Sequence, residues 1–139
     1  MREITKLMID MYAIKKLGYD FMGYTFNKTN ELSFHHLVVP KRDCRKQGLG
    51  KGFYIWNGAI LKQETSHDYL HLIERIDRKY FLQITNYMIE ENKNGQLDLD
   101  TLKRIREILL TFEEEYKNET DREGRALIKK PYKTDRIIL

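Results

Sequence analysis

The chain carries four histidines, all within residues 34–71, FHHLVVPKRDCRKQGLGKGFYIWNGAILKQETSHDYLH. They come as two pairs, His35 with His36 and His67 with His71, and Asn57 lies between the pairs. His67 and His71 are four residues apart at the start of an expected helix. At 3.6 residues per turn they share one face, and their rings are able to converge on one ion. His35 and His36 fall on an expected strand, where adjacent side chains point to opposite faces. One of the two can ligate metal while the other takes a proton from water, a task that suits imidazole because it titrates near neutrality. The chemistry these residue types and spacings support is metal-assisted hydrolysis. The competing reading is structural, with His35 and His36 packing or capping and His67 bonding helix N-terminal groups.

Several elements must position these side chains. Residues 3–17 have the period of an amphipathic helix, with Ile4, Leu7, Met8, Met11, Ile14 and Leu17 on its apolar side and Gly18 as its stop. Residues 19–31 hold an aromatic run, Tyr19, Phe21, Tyr24 and Phe26, expected as core or sheet-face residues ahead of an Asn-rich turn. Residues 32–39 read as a strand ending at Pro40. Residues 41–52, KRDCRKQGLGKG, are basic and Gly-bearing. Either they hold phosphate through Lys41, Arg42, Arg45, Lys46, Lys51 and backbone N–H groups, or they form a solvated loop. Residues 53–61 read as a strand or hairpin, with Asn57-Gly58 a two-residue turn signal. Thr65 and Ser66 are N-cap types for a helix over about 66–92, with Leu70, Ile73, Tyr80, Phe81, Ile84, Tyr87 and Met88 as its apolar stripe. Asn94-Gly95 ends it. Asp98 or Asp100 caps another helix, about 99–117, with Leu99, Leu102, Ile105, Leu109 and Phe112 inward. These last two helices are expected to pair antiparallel. Residues 118–139 read as a polar, basic tail whose apolar end, Ile137-Ile138-Leu139, docks on the core.

The bulk properties narrow the class. At 139 residues, 41% hydrophobic, the chain suits one folded domain with a single core. Within it the segments are 1–31, an N-terminal helix and aromatic stretch; 32–92, the histidine-bearing part; 93–117, a C-terminal helix; and 118–139, the tail. A net charge of +4 favours a polyanionic partner, though many basic proteins bind no nucleic acid. Cys44 is the one cysteine, so there is no intramolecular disulfide and no cysteine zinc knuckle. That usage fits a reducing cytoplasm. The charged N-terminus lacks the apolar stretch of a secretory signal, and no segment approaches the roughly 18 apolar residues of a membrane span. Glu90-Glu91 and Glu113-Glu114-Glu115 read as solvated helix faces. Glu74, three residues after His71, is either a partner for that ring or for Arg78.

The order "HH", "NGAIL", "SHDYLH" resembles the HNH endonucleases, the ββα-metal nucleases, over roughly residues 33–75. The strings "FHH", "NGAIL" and "SHDYLH" are also similar to those of small HNH-type proteins of low-GC bacteria and their phages. The resemblance implies a ββα-metal core, which with the N-terminal helix and the C-terminal antiparallel helix pair read above gives an α+β fold. It implies His36 as general base, His35, His67 and His71 as metal ligands, and Asn57 as the residue that orients the base and pins the loop. The chain departs from the pattern in a longer gap between His36 and Asn57, in Pro40 falling one position late, and in a basic Gly-x-Gly-x-Gly loop.

The resemblance further implies a divalent ion, Mg²⁺ or Mn²⁺, with Zn²⁺ or Ni²⁺ also suited to imidazoles. It implies hydrolysis of phosphodiester bonds in DNA, with a cation from Lys41, Arg42, Arg45, Lys46 or Arg75 stabilising the transition state. Target choice in so small a chain would need a homodimer or another protein. The alternative is a catalytically silent HNH-fold protein of a phage or mobile element that binds nucleic acid or inhibits a host nuclease.

Overall fold

A computed structural model describes residues 1–139 and shows an α+β protein: seven α-helices and one two-stranded antiparallel sheet. The helices are α1 (Glu3–Met11), α2 (Ile14–Leu17), α3 (Lys41–Cys44), α4 (Asp68–Ile76), α5 (Arg78–Asn94), α6 (Leu99–Tyr116) and α7 (Lys130–Thr134). The strands are β1 (Leu32–His36) and β2 (Gly58–Lys62), with His35 opposite Ala59 and His36 opposite Gly58. One hydrophobic cluster runs from Met8 to Tyr132. α1 lies against both strands, α5 against β2 and α4, and α6 against α5.

The expected helix over 3–17 is broken. Tyr12 ends α1, buried against Phe21 with its hydroxyl donated to the Asn92 carbonyl. Ala13 then turns left-handed at φ 52° before α2 begins. The buried face is therefore Thr5, Met8, Ile9, Tyr12 and Ile14, while Leu7, Met11 and Leu17 stay exposed. The aromatic run does enter the core: Tyr19, Phe21 and Tyr24 are buried. Its anchor is Asp20, a buried carboxylate that accepts from the Met22, Tyr24 and Lys62 N–H groups and from the Ser66 hydroxyl.

The segment between the strands departs most from the expected pattern. β1 stops at His36 rather than Val39. The basic stretch is no simple loop, since α3 and a 3₁₀ turn at Arg45–Gln47 occupy it. Asn57-Gly58 is not a hairpin turn either. Asn57 closes a 3₁₀ turn, Ile55–Asn57, and Gly58 opens β2. The strands are joined by the whole of 37–57.

The helix expected over 66–92 is three pieces. A π-helical turn, Gln63–His67, leads into α4. Asp77 then adopts an extended conformation, caps α5 by accepting from the Lys79 N–H, and also accepts the Tyr116 hydroxyl. A tertiary hydrogen bond thus favours the break. α6 matches the expected span, capped by Asp98, although Leu99 is exposed rather than inward.

Two acidic runs are not simply solvated faces. Glu113 is buried, and Arg136 from the tail binds it bidentately at 2.9 and 3.0 Å while the Tyr69 hydroxyl donates at 2.8 Å. Glu91 is buried with both carboxyl oxygens unpartnered, and desolvation, with Asp20 and Asp98 nearby, pushes it well above the usual carboxylate range. The tail is ordered by these contacts. Tyr132 stacks on Tyr69 at 4.6 Å, and Ile137 packs on the core while Ile138 is exposed.

Candidate metal centre

His35 leaves β1 on the buried side, and His67 and His71 reach it from the π turn and the first turns of α4. One ring nitrogen from each lies within 4.8 Å of the others. Ring centroids are 5.2 Å apart for His35–His67, 5.5 Å for His35–His71 and 5.0 Å for His67–His71. The π turn inserts extra backbone just before α4, a feature frequent at functional sites. It is held by Ser66, whose hydroxyl caps back to Lys62 and bonds Asp20.

The hydrogen bonds around the rings set their tautomers. Ser33 Oγ donates to the Leu61 carbonyl at 3.1 Å, so its lone pair accepts Nδ1–H of His67 at 2.7 Å. Glu74 Oε1 accepts Nδ1–H of His71 at 3.3 Å. Both rings therefore keep the Nε2 lone pair free, the arrangement typical of ligating histidines with a carboxylate or hydroxyl behind them. His35 Nε2 is buried with no partner at all. An orphaned buried ring nitrogen costs free energy unless something supplies a bond. Burial and the neighbouring imidazoles pull His35 well below the ordinary histidine range and His67 down to about 4. At neutral pH both rings are neutral, as ligation requires. The three-histidine group can hold a metal ion.

His36 points the other way along the strand, against Phe34 and Phe53 at centroid distances of 5.1 Å. It nonetheless lines the same cleft, of about 850 Å³, as the three-ring group. Its Nε2 lies 2.7 Å from the Lys51 carbonyl. A carbonyl only accepts, so Nε2 carries the proton and Nδ1 keeps a lone pair. Asn57 is fully buried beneath this loop. Its Oδ1 accepts from the Val38 and Val39 N–H groups, and its Nδ2 donates to the Val39 and Gly52 carbonyls. Gly52 sits at φ 75° with no room for a Cβ beside Cys44 Sγ and His36 Cδ2.

Of the basic residues expected to meet phosphate, Lys41 and Arg42 line the cleft, and Arg45, Lys46 and Lys51 do not. Lys51 meets the site through its carbonyl, not its ammonium. Arg75 is also off the cleft wall. Two cations that sequence reading did not place there do line it. Arg2 lies 4.2 Å over the Phe53 ring, and Arg78 lies 3.5 Å from Glu74. Arg42 pairs with Asp43 at 3.8 Å, which leaves Arg2 and Lys41 as the cleft cations without a carboxylate partner. Ser33 was legible in principle, because i and i+2 share a strand face with His35. Arg2 had no local signal, since its position depends on how α1 packs on the sheet.

Comparison with protein families, curated proteins and solved structures finds no match to the chain.

Two outcomes test the centre. Titration calorimetry with Zn²⁺ should give one ion per chain, and Glu74→Ala should weaken it roughly 10- to 100-fold. In metal-free protein, His35 and His67 have lower pKa values folded than unfolded. The unfolded chain therefore binds protons that the native state refuses as pH falls below about 6.5. Stability should be full above that pH and fall progressively toward about 4 in urea titrations, with His67→Gln flattening the slope.

Proposed function

We propose that this chain is a metal-dependent, HNH-like endonuclease that hydrolyses phosphodiester bonds in DNA, with His36 as general base. The observation that carries the reading is the division of labour at one strand end. His35 joins His67 and His71 in a three-imidazole group, while His36, its neighbour in sequence, stands in the same cleft with a free Nδ1. A metal-storage site would have no use for the fourth ring held in that tautomer.

A divalent ion held by His35, His67 and His71 would polarise the scissile phosphate and stabilise charge on the leaving 3′ oxygen. His36 Nδ1 takes the proton of the attacking water. The Lys51 carbonyl fixes the ring and stabilises the imidazolium that results, so the base is positioned by backbone that Asn57 holds in place. Asn57 acts through the loop rather than on the reacting atoms. Arg2 and Lys41 supply positive charge to the phosphate oxygens. The donor set is all nitrogen, with the nearest carboxylate, Glu74, occupied by His71. That favours Zn²⁺ or Ni²⁺ over Mg²⁺ or Mn²⁺ as the tightly held ion. The order of the histidines and Asn57, which resembles the HNH pattern, adds to this reading.

Supercoiled plasmid should be nicked by pure protein with Mn²⁺ and spared in EDTA. His36→Ala should be slower by roughly 10²- to 10⁴-fold while binding metal as tightly as the parent, because general-base catalysis is worth about that much. Equal cleavage by His36→Ala would remove the base assignment. No cleavage by the parent chain in any metal, with metal still bound, would favour a silent HNH-like binding protein.

A further inference from the structure

The cleft extends well past the histidines. One wall is a single face of α5, where Arg78, Leu82 and Asn86 stand in line four residues apart, flanked by Thr85 and Ile89. At 1.5 Å per residue that line runs about 12 Å. Its first member, Arg78, adjoins Glu74, the partner of His71. Its last, Asn86, offers an exposed side-chain amide, and a second exposed amide, Asn30, lines the same cleft. Between the two ends lies Leu82, a large apolar side chain left 45% exposed in the middle of the wall. Thr85, beside it, has a buried hydroxyl without a partner. The cleft thus brings imidazoles and cations together with an apolar surface and an unpaired amide on α5.

A nucleotide carries the matching chemistries. Its phosphate seeks cations and metal, its base presents an apolar face, and the edge of that base carries donors and acceptors that an Asn amide matches. In a duplex the face is stacked away. An unpaired base offers face and edge together. We infer that the Leu82–Asn86 wall of α5 is a nucleobase subsite, and that the cleft takes a strand with an unpaired nucleotide beside the scissile phosphate. This deepens the proposed function and rests on it for the phosphate end. The apolar and amide wall stands on its own geometry.

Leu82 and Asn86 are surface positions, so a Leu82→Ala/Asn86→Ala variant should fold. The probe is a fluorescein-labelled single-stranded octadeoxynucleotide, with a blunt duplex of the same sequence beside it, followed by anisotropy in EDTA. The parent chain should bind the single strand roughly tenfold more tightly than the duplex, and the double variant should lose roughly tenfold on the single strand alone, the scale of one apolar contact and one amide hydrogen bond. With Mn²⁺, KM for the single strand should rise in proportion while kcat holds. Equal binding of both probes, unchanged binding by the variant, or no single-strand binding at all would overturn the subsite, even if plasmid cleavage proceeds. Variant-sensitive single-strand binding without cleavage in any metal would keep the subsite and remove the nuclease reading.

Discussion

The site depends on how one amide side chain closes a long excursion. Between β1 and β2 the chain travels through residues 37–57, away from the sheet and back. Asn57 receives it, bonding two backbone N–H groups and two carbonyls while fully buried. Buried backbone polar groups need partners, and a loop that found none would have to open to water. Closing the loop at Asn57 sets Lys51 and Gly52 beside β1, and so gives His36 the carbonyl that fixes its ring. The same closure delivers Gly58 to the register opposite His36, where the Phe34 ring and Met8 leave no space for a side chain.

The second constraint is the packing of three imidazoles at one point, His35 buried, His67 half-buried and His71 exposed. Burial disfavours the charged forms of His35 and His67, and each neutral ring needs its N–H satisfied. Ser33 and Glu74 do this for His67 and His71, which directs the remaining lone pairs away from those partners. His35 Nε2 has no partner, and with the ring proton on Nδ1 it presents a buried lone pair that a metal ion would take up. Asp20 and Ser66 hold the π turn that sets His67 against the strand, which ties this centre to the aromatic segment at 19–24.

Much of this was legible because it is local. Spacing of four places His67 and His71 on one helical face, and strand alternation separates His35 from His36. Asp98 marks the start of α6, and β1 and β2 begin or end within a few residues of their expected bounds. What was not legible is tertiary. The break at Asp77 depends on Tyr116 from α6, and the break at Tyr12 on Asn92 from α5. Glu113 belongs to a charge run in sequence but is buried by Arg136, 23 residues away. Basic residues could be counted in the 41–52 stretch, but Arg45 and Lys46 fall on the 3₁₀ turn after α3, off the cleft wall, and α1 brings Arg2 to it. Composition shows that cations exist; packing decides which of them face the site.

X-ray absorption at the zinc edge of the Zn²⁺-loaded protein, beside His35→Ala, tests the central claim most directly, that one ion unites β1 with the head of α4. The account predicts three imidazole nitrogens at about 2.0–2.1 Å in the parent chain and two in the variant. Fewer than three imidazoles in the parent chain, or the same coordination in both proteins, would contradict it.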